Sequence, residues 1–526
     1  SQLGVGYREL PTDTENINQD LNTRRSVISS GEEFRNEQFY NLVIGTDYYI
    51  DERNVITLSG NFAYEVEDQP SATTFRQVAA DGSTIAEWQR EETTEATNPQ
   101  SQYELHYKRD FKDDKDHDLL LSAIGRFFGK DQSSLFTDRS ISGADRDGDQ
   151  RTRTNFSEAI NTFKLDYTRP FGSGFTLETG GQAIINDVTN DFAVSNLENG
   201  VFFEDPNLTN VFEYHQDVFG LYGSLAYEGK KWGLKAGVRV ENTDLETLLV
   251  NTGESNDQNF TNLFPSGFVS YKFTEAVSFQ ASYSRRIFRP RLWELNPFFN
   301  IRNDFNIRVG NPNLLPEFTD SYEFNSIFIL GDVSLNFGVY HRFTTEVVER
   351  IAFFEDGVTT TTPLNIGTNA ATGLELNGKY NVSKILSFNG DVNFNYFSRK
   401  GELEGTSFDF NAEQWNAKLT GRCKLPADFE IEATGQYNSS FETVQGEVSG
   451  NVWLDFGIRK KLFKGKGAVN FSVRDAFASR FRENFTFQED FNAYSYRIRG
   501  RFITLGFSYG FGKGDTMEYS GQKRRF

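Results

Sequence analysis

Hydrophobic and polar residues alternate with a period of two along most of this chain. In segment 386–396, Leu386, Phe388, Val392, Phe394 and Tyr396 share one face, and polar residues occupy the other. Such alternation places the two sets on opposite faces of a β-strand. The pattern recurs in segments 219–227, 232–241, 277–283, 335–339, 452–458, 469–473 and 503–511. Many of these runs last about ten residues, the length of a tilted strand that crosses a bilayer, whereas strands of soluble proteins typically have about five or six.

Short and long connections alternate between these strands. Turn-like stretches lie near 51–54, 112–117, 170–174, 228–231, 274–276, 331–332, 382–384, 426–428 and 464–467. Long polar stretches, which we interpret as loops, lie at 11–33, 67–100, 130–153, 186–210, 242–262, 291–318 and 475–493. Short periplasmic turns and long extracellular loops are typical of outer-membrane barrels. The sequence therefore predicts an all-β fold, a closed antiparallel transmembrane β-barrel of about 20 strands.

Composition excludes several other classes of protein. The net charge of −20 argues against a nucleic-acid partner, which needs a concentrated Lys/Arg surface. One cysteine cannot form a disulfide scaffold, and no stretch approaches the ~20 apolar residues of a membrane helix. No phosphate-binding glycine loop and no nucleophile motif stand out, so we expect no enzyme, no catalytic residues and no cofactor. The four histidines are not spaced as metal ligands on one element and there is one cysteine, so we expect no metal site. A barrel of about 20 strands encloses more space than its own side chains can fill, so either a plug closes the lumen or the barrel conducts ions.

Three stretches of sequence point to a family. The first runs from Ser282 through SYSRRIFRPRLWELNPF to Phe298, the second is RVGNPNLLPE at 308–317 followed by SYE at 321–323, and the third is 365–376. Together they resemble the β-barrel domain of TonB-dependent outer-membrane receptors, with the closest match in the outer-membrane β-barrel branch of Bacteroidetes. We interpret Pro290, Asn311, Pro312, Pro316 and Glu317 as structural members of this motif, because proline and asparagine favour turns.

The resemblance implies a barrel of 22 strands, an N-terminal plug, and energy supplied by the partner TonB through that plug region. We expect residues 1–511 to form the barrel and 512–526 a polar tail, with Phe511 or Phe526 as the terminal aromatic. No plug is recognisable in the sequence. It could precede Ser1, it could have been removed or displaced, or the barrel could have abandoned TonB-driven uptake; we favour the first. Other expected partners are outer-membrane lipid or lipopolysaccharide, a surface lipoprotein, and subunits of an envelope complex.

Candidate ligand residues cluster where a strand meets the loop that starts near residue 291. They are Arg285, Arg286, Arg289, Trp293 and Glu294, which could line the lumen and hold an anionic group. The alternative is that they form ion pairs that anchor the loop. Asp145, Asp147 and Asp149 alternate around a glycine, as in the start of a calcium loop, but Phe156 stands where an EF-hand needs glutamate. A solvated acidic loop is the better interpretation.

The favoured function is import of a scarce solute, which binds at the extracellular face of an outer-membrane barrel in a Gram-negative bacterium and passes through a plugged lumen. One alternative is a barrel subunit of a larger envelope complex for secretion or surface assembly. Another is an open porin. The identity of the ligand does not follow from the sequence.

Overall fold

The computed structural model describes residues 2–111, 116–297, 303–403 and 405–510. The predicted tail, with Phe511 and Phe526, lies outside these residues. Most of the described chain forms long strands. In chain order the elements are β1 Gln2–Asp20, β2 Ser26–Tyr49, β3 Asn54–Val78, β4 Thr84–Asp110, β5 Asp118–Gly143, β6 Gly148–Phe171, β7 Phe175–Glu198, β8 Val201–Glu204, β9 Asn210–Glu228, β10 Trp232–Leu249, β11 Glu254–Lys272, β12 Val277–Phe288, α1 Leu292–Leu295, β13 Asn306–Arg308, β14 Glu317–Leu330, β15 Val333–Thr345, β16 Val348–Glu355, β17 Val358–Asn365, β18 Thr368–Asn381, β19 Leu386–Leu403, β20 Thr406–Leu425, β21 Phe429–Asn438, β22 Phe441–Glu442, β23 Gly446–Val448, β24 Asn451–Leu462, the 3₁₀ turn η1 Phe463–Gly465, β25 Gly467–Arg474, β26 Phe481–Phe487, β27 Phe491–Arg499 and β28 Phe502–Tyr509.

The long strands form one antiparallel wall that returns to its starting point. β1 pairs with β2 on one side and with β27 on the other, and β27 continues into β28 after residues 500 and 501. β28 pairs with β25, which leads back through β24 and β21 along the wall. Counting β25 with β26, and β27 with β28, as interrupted single strands, the described residues contribute twenty wall strands. The predicted closed antiparallel barrel is confirmed.

The wall has an apolar outer face and a polar inner face. Leu419, Val392 and Phe507 are exposed on the outside, with 57%, 39% and 57% of their surface accessible. Outward aromatic rings also pair across strands, as Phe394 and Trp415 do at a centroid distance of 4.4 Å. Large apolar side chains exposed all around a barrel form the band that contacts lipid in membrane barrels. No helix in the described parts of the chain is long and apolar enough to span a membrane.

The predicted short turns fall between consecutive wall strands in all nine cases, although residues 112–115 of one of them lie outside the described chain. The tightest is residues 331–332 between β14 and β15, where Gly331 adopts φ 61°, a left-handed conformation that glycine adopts without steric cost. These turns define the rim that we place in the periplasm.

Most of the predicted long loops are strands, so that part of the prediction was wrong. Segment 67–100 continues the β3–β4 ladder to a tip at residues 79–83, and 130–153 continues β5 and β6 to a tip at 144–147. The ladder continues because its backbone hydrogen bonds do not need lipid. Beyond the membrane both faces of these strands are wet, so the apolar alternation that marks a strand in the sequence disappears.

A second, smaller sheet lies inside the extracellular part of the barrel. It contains β16 and β17, an antiparallel hairpin, and β13, which pairs in parallel with β17. We call these three strands the inner sheet. The sequence interpretation missed the hairpin, although Asp356-Gly357 is a strong hairpin signal, and both residues have positive φ, 50° and 85°.

Candidate ligand-binding site

The connection between β12 and β14 crosses the extracellular chamber, and we call its described residues, 289–297 and 303–316, the strap. Its first contact is with the wall formed by β7, β9 and β10. Leu295 of α1 and Leu314 are fully buried there, against Phe212 and Leu245 among others. Asn311 donates its backbone N–H to the carbonyl oxygen of Glu294 at 2.6 Å, which ties the two ends of the strap together.

The middle of the strap contacts a different part of the wall. The Phe305 ring packs on Phe75 of β3 and Trp88 of β4, at centroid distances of 5.9 and 5.8 Å. Asn18 of β1 donates its side-chain amide to the Phe305 carbonyl oxygen at 2.6 Å. Arg90 of β4 donates to Asp304 at 2.9 Å. The strap therefore joins the β7–β10 wall to the β1–β4 wall across the inside of the barrel.

The inner sheet continues this crossing toward a third part of the wall. Ala352 of β16 exchanges two hydrogen bonds with the Gln445 side chain, at 2.7 and 2.9 Å. Phe354 stacks on Phe491 of β27, with centroids 5.1 Å apart and planes 10° apart. Because β13 belongs to both the strap and the inner sheet, these elements form one continuous obstruction in the chamber.

A cavity of about 740 Å³ lies among the strap, the inner sheet and the β1–β3 and β26–β27 walls. Its volume is in the range of small-molecule sites, which are roughly 300–1,000 Å³. Five arginines line it: Arg308, Arg350, Arg399, Arg482 and Arg497. Five glutamates line it as well: Glu32, Glu33, Glu294, Glu349 and Glu447.

The arginines differ in their partners. Arg399 pairs with Glu349, while Arg350 and Arg497 lie 3.7 Å from Glu294 and Glu33 respectively. Within the described chain, Arg308 and Arg482 have no carboxylate partner, and Arg482 makes only a long hydrogen bond, 3.4 Å, to Asn484. The charges in the cavity are therefore balanced in number but not in position.

Burial and mutual repulsion lower the pKa of two of these groups. The pKa of the Arg308 guanidinium falls below its ordinary value because it is desolvated inside the chamber and because Arg482, Arg350 and Arg497 repel its charge. The pKa of Arg482 is lowered in the same way, by desolvation and by Arg350 and Arg497. The Arg308 side chain is accessible from the cavity, so its desolvation reflects the enclosing protein rather than direct packing.

The three predicted arginines on or beside β12 point in different directions. Arg285 shares the outer face with Tyr283, and its guanidinium is 4.0 Å from Asp320. Arg286 faces the lumen and is exposed. Arg289 donates to Glu241 at 2.6 Å and to Thr243 at 2.9 Å, so it fastens the start of the strap to β10.

The remaining predicted site residues belong to the strap. Trp293 is half exposed and carries the Arg350 guanidinium over its ring at 4.7 Å. Glu294 is buried, accepts a hydrogen bond from the Arg291 N–H at 2.9 Å, and contributes to the cavity lining. The structure therefore brings Trp293 and Glu294 to the cavity region, and it separates them from Arg285.

The motif residues support the strap. Pro290 and Pro316 are buried, and Asn311 donates to the Pro363 carbonyl oxygen at 3.2 Å. The carbonyl oxygen of Pro312 accepts from Asn256 at 2.5 Å, and Glu317 accepts from the Val348 N–H at 2.6 Å. Phe298, at the end of the first motif, lies outside the described residues.

Two clusters of acidic residues outside the cavity are held by hydrogen bonds and ion pairs within the protein. At the β5–β6 tip, Asp147 accepts from the Ser140 N–H at 2.7 Å, and Asp149 pairs with Arg139 at 2.9 Å. Asp145 accepts from the Asp147 N–H at 3.0 Å. In the lumen wall the buried carboxylates of Glu37, Glu65 and Glu67 converge, and Arg8, Arg35 and Lys130 offset their charge.

The sequence interpretation did not single out Arg350, Arg482 and Arg497 as site residues, and it named Arg308 only as the start of a motif. No spacing along the chain brings these four together. Arg482 and Arg497 become neighbours only through the β26–β27 register, and Arg308 and Arg350 only through the inner sheet.

A closed barrel with an apolar exterior and an obstructed polar interior is the architecture of an outer-membrane transport barrel. Residues 109–509 match the outer membrane protein beta-barrel family, and the chain belongs to that family. It is therefore a protein of the Gram-negative outer membrane. No protein with a curated description matches the sequence.

Solved structures share this fold at low sequence identity. The chain is similar to the copper transporter OprC, with 10% identity, a TM-score of 0.57, and coverage of 97% of this chain and 83% of that one. It is also similar to the siderophore receptor PiuA from Acinetobacter baumannii, with 10% identity, a TM-score of 0.54, and coverage of 95% and 81%. The ferripyoverdine receptor of Pseudomonas aeruginosa gives 11% identity, a TM-score of 0.54, and coverage of 95% and 72%.

Proposed function

We propose that this barrel imports a scarce solute, which binds in the extracellular cavity before it passes through the lumen. The observation that carries the proposal is the strap together with the inner sheet. A pore for free diffusion needs a continuous water-filled channel, whereas here an element fixed to three parts of the wall crosses the chamber. A receptor gains a defined binding surface from it, because binding residues work best on a rigid support.

The proposal extends to the parts that complete such a receptor. The barrel occupies residues 1–511, with a polar tail at 512–526, and a plug segment gates the lumen and receives energy from TonB. The similar structures of OprC and PiuA, a copper transporter and a siderophore receptor, support a transport role and not an enzymatic one. Lipid and lipopolysaccharide surround the wall.

Ion conductance of the full-length protein in planar bilayers tests this function. We expect low steady conductance, because the strap and the inner sheet obstruct the chamber. A variant in which residues 303–316 are replaced by a flexible Gly/Ser linker should show larger or noisier conductance. Its control is a Gly/Ser linker in place of the four residues 250–253 at the β10–β11 tip, which does not cross the lumen.

Large steady conductance of the unaltered protein would instead favour an open porin. Equal conductance of the strap variant and the tip control would show that the conductance is set by an element other than the strap, such as the plug. Co-purification of stoichiometric envelope subunits, with unchanged conductance on strap replacement, would favour the assembly role over import.

A further inference from the structure

The cavity collects positive charge from two separate bodies. Arg308 and Arg350 belong to the inner sheet, on β13 and β16, while Arg482 and Arg497 belong to the barrel wall, on β26 and β27. We propose that the cavity binds a small solute that carries at least two carboxylate or phosphate groups, and that the bound anion joins the inner sheet to the β26–β27 wall. This inference rests on the proposed function, since it names the class of solute that the cavity takes.

The first argument is the arrangement of like charges. Arg482 lies directly opposite Arg497 in the β26–β27 register, and like charges at opposed positions destabilise a sheet. Arg308 adds a third guanidinium within range of both, since Arg482 and Arg497 each repel it. A chain with a net charge of −20 has many carboxylates that could offset this repulsion, but within the described residues none pairs with Arg308 or Arg482.

The second argument concerns the carboxylates that do line the cavity. Glu349 is engaged by Arg399, and Glu294 is held by the Arg291 N–H inside the strap. Glu33 is 3.7 Å from Arg497, which is too long for a hydrogen bond. Desolvation and the other arginines are the influences that lower the pKa of Arg308 and of Arg482, and no carboxylate opposes them. Glu32 and Glu447 also line the cavity, but neither forms an ion pair with Arg308 or Arg482 in the described chain. The positive charge of these two arginines is therefore not offset locally, and it lies between the inner sheet and the wall.

The third argument is the chemistry of the guanidinium group. Its planar donors match the oxygens of carboxylate and phosphate groups, and two arginines on different supports can hold two such groups at once. Tyr494 and Tyr496 of β27 line the same cavity and offer aromatic surface beside the charges. A solute with one charge would neutralise one side only, whereas a solute with two or more spans the gap.

The two-sided placement has a mechanical consequence. Without an anion, repulsion between Arg308 and the Arg482–Arg497 pair acts to separate the inner sheet from the wall. With an anion, the same four groups hold the two bodies together. The packing of Phe354 on Phe491 and the hydrogen bonds of Ala352 to Gln445 hold the inner sheet near the wall. Repulsion without an anion opposes these contacts, and a bound anion reinforces them.

Isothermal titration calorimetry of the full-length protein in neutral detergent tests the proposal. The probes are citrate and pyrophosphate, which carry carboxylate and phosphate groups respectively, with acetate as the singly charged control and glucose as the neutral one. We expect citrate or pyrophosphate to bind, acetate to bind at least ~10-fold more weakly, and glucose not to bind. Affinity for the anion should fall as NaCl is raised.

The test variant is Arg308→Gln combined with Arg482→Gln, which removes two guanidiniums that have no carboxylate partner and so leaves no buried carboxylate unpaired. We expect at least ~10-fold loss of anion affinity. The matched control combines Arg25→Gln and Arg76→Gln, which changes net charge equally near the tips of the extracellular strands, away from the cavity lining. Its affinity should equal that of the unaltered protein.

Equal affinity of the two double variants would overturn the proposal, as would absence of binding by both anions. If the test variant does not fold, the unaltered protein still decides, because salt-insensitive binding or binding of glucose in preference to the anions contradicts the inference. Failure here is distinct from failure of the import function. If the strap restricts conductance but no anion binds, only the proposed solute class is contradicted. If an anion binds but the steady conductance is large, only the proposed receptor function is contradicted.

Discussion

Arg482 on β26 lies directly opposite Arg497 on β27, and both guanidiniums reach the extracellular cavity. Cross-strand like charges cost stability in the absence of a counterion. We therefore expect Arg482→Gln to stabilise the ligand-free protein, by about 0.5 kcal/mol at low ionic strength. The measurement is the thermal unfolding midpoint in detergent, with Arg76→Gln as the control. A destabilised Arg482→Gln protein would mean that Arg482 makes a structural contact that outweighs the repulsion.

Phe305 holds the strap to the β3–β4 wall through Phe75 and Trp88. Phe305→Ala should release this end of the strap, because it removes about 2 kcal/mol of aromatic packing and burial. We expect faster cleavage within 303–316 by a protease added to the folded protein in detergent. Phe343→Ala, which removes a ring from the outer face of β15, is the control and should leave the cleavage rate unchanged. Equal rates for both variants would show that Phe305 does not retain the strap.

His215, on the extracellular extension of β9, has a raised pKa chiefly because of its hydrogen bond to Asp187 at 2.6 Å, with Asp217 contributing and partial burial opposing. A group whose folded pKa is raised contributes stability that is complete below its unfolded pKa, about 6.5, and that is lost as pH rises through the folded value. His215→Gln should therefore lower the unfolding midpoint at about pH 5.5 and leave it unchanged at about pH 9. The same loss at both pH values would contradict a charge effect.

Substitution of Arg289 tests whether this residue anchors the strap or contacts the ligand. It shares the buried Glu241 carboxylate with Arg239, so Arg289→Gln should lower stability by about 1–2 kcal/mol while leaving citrate affinity unchanged. Arg286 faces the lumen without such a partner in the described chain, and Arg286→Gln should leave stability unchanged. Thermal unfolding and calorimetry on both variants check this. A loss of anion affinity in Arg289→Gln would show that Arg289 contributes to anion binding.

The wall was predictable because its signals are local. Alternation at Leu386 to Tyr396 and the turn at 331–332 each depend on a few consecutive residues and on the contrast between lipid and water. The extracellular halves of β3 and β4 were not predicted as strands, because beyond the membrane both of their faces contact water and the apolar alternation is lost. Local patterns therefore fixed the number of strands but not their length.

The cavity was not predictable, because its members meet through long-range pairing. Phe305 reaches Phe75 and Trp88 across more than 200 positions of sequence, and the Arg482–Arg497 pair exists only in one strand register. The sequence did place Trp293 and Glu294 in the right segment, because proline-rich turns there marked an irregular connection. For Arg285, the alternation of segment 277–283 extended by two residues already indicates the outer face, where the structure places it beside Tyr283.

The length of the β3–β4 hairpin has a consequence for what can approach this protein. β3 has 25 residues, which span roughly 85 Å at ~3.4 Å per residue, whereas the apolar band is only about 25 Å tall. Even with the strands tilted, the β2–β7 side of the wall rises tens of ångströms above the lipid, whereas β14 and β15, with 14 and 13 residues, end much closer to it. Large particles such as antibodies or phages would therefore meet the tall β2–β7 side first, while molecules the size of a metabolite could enter over the low side and reach the cavity.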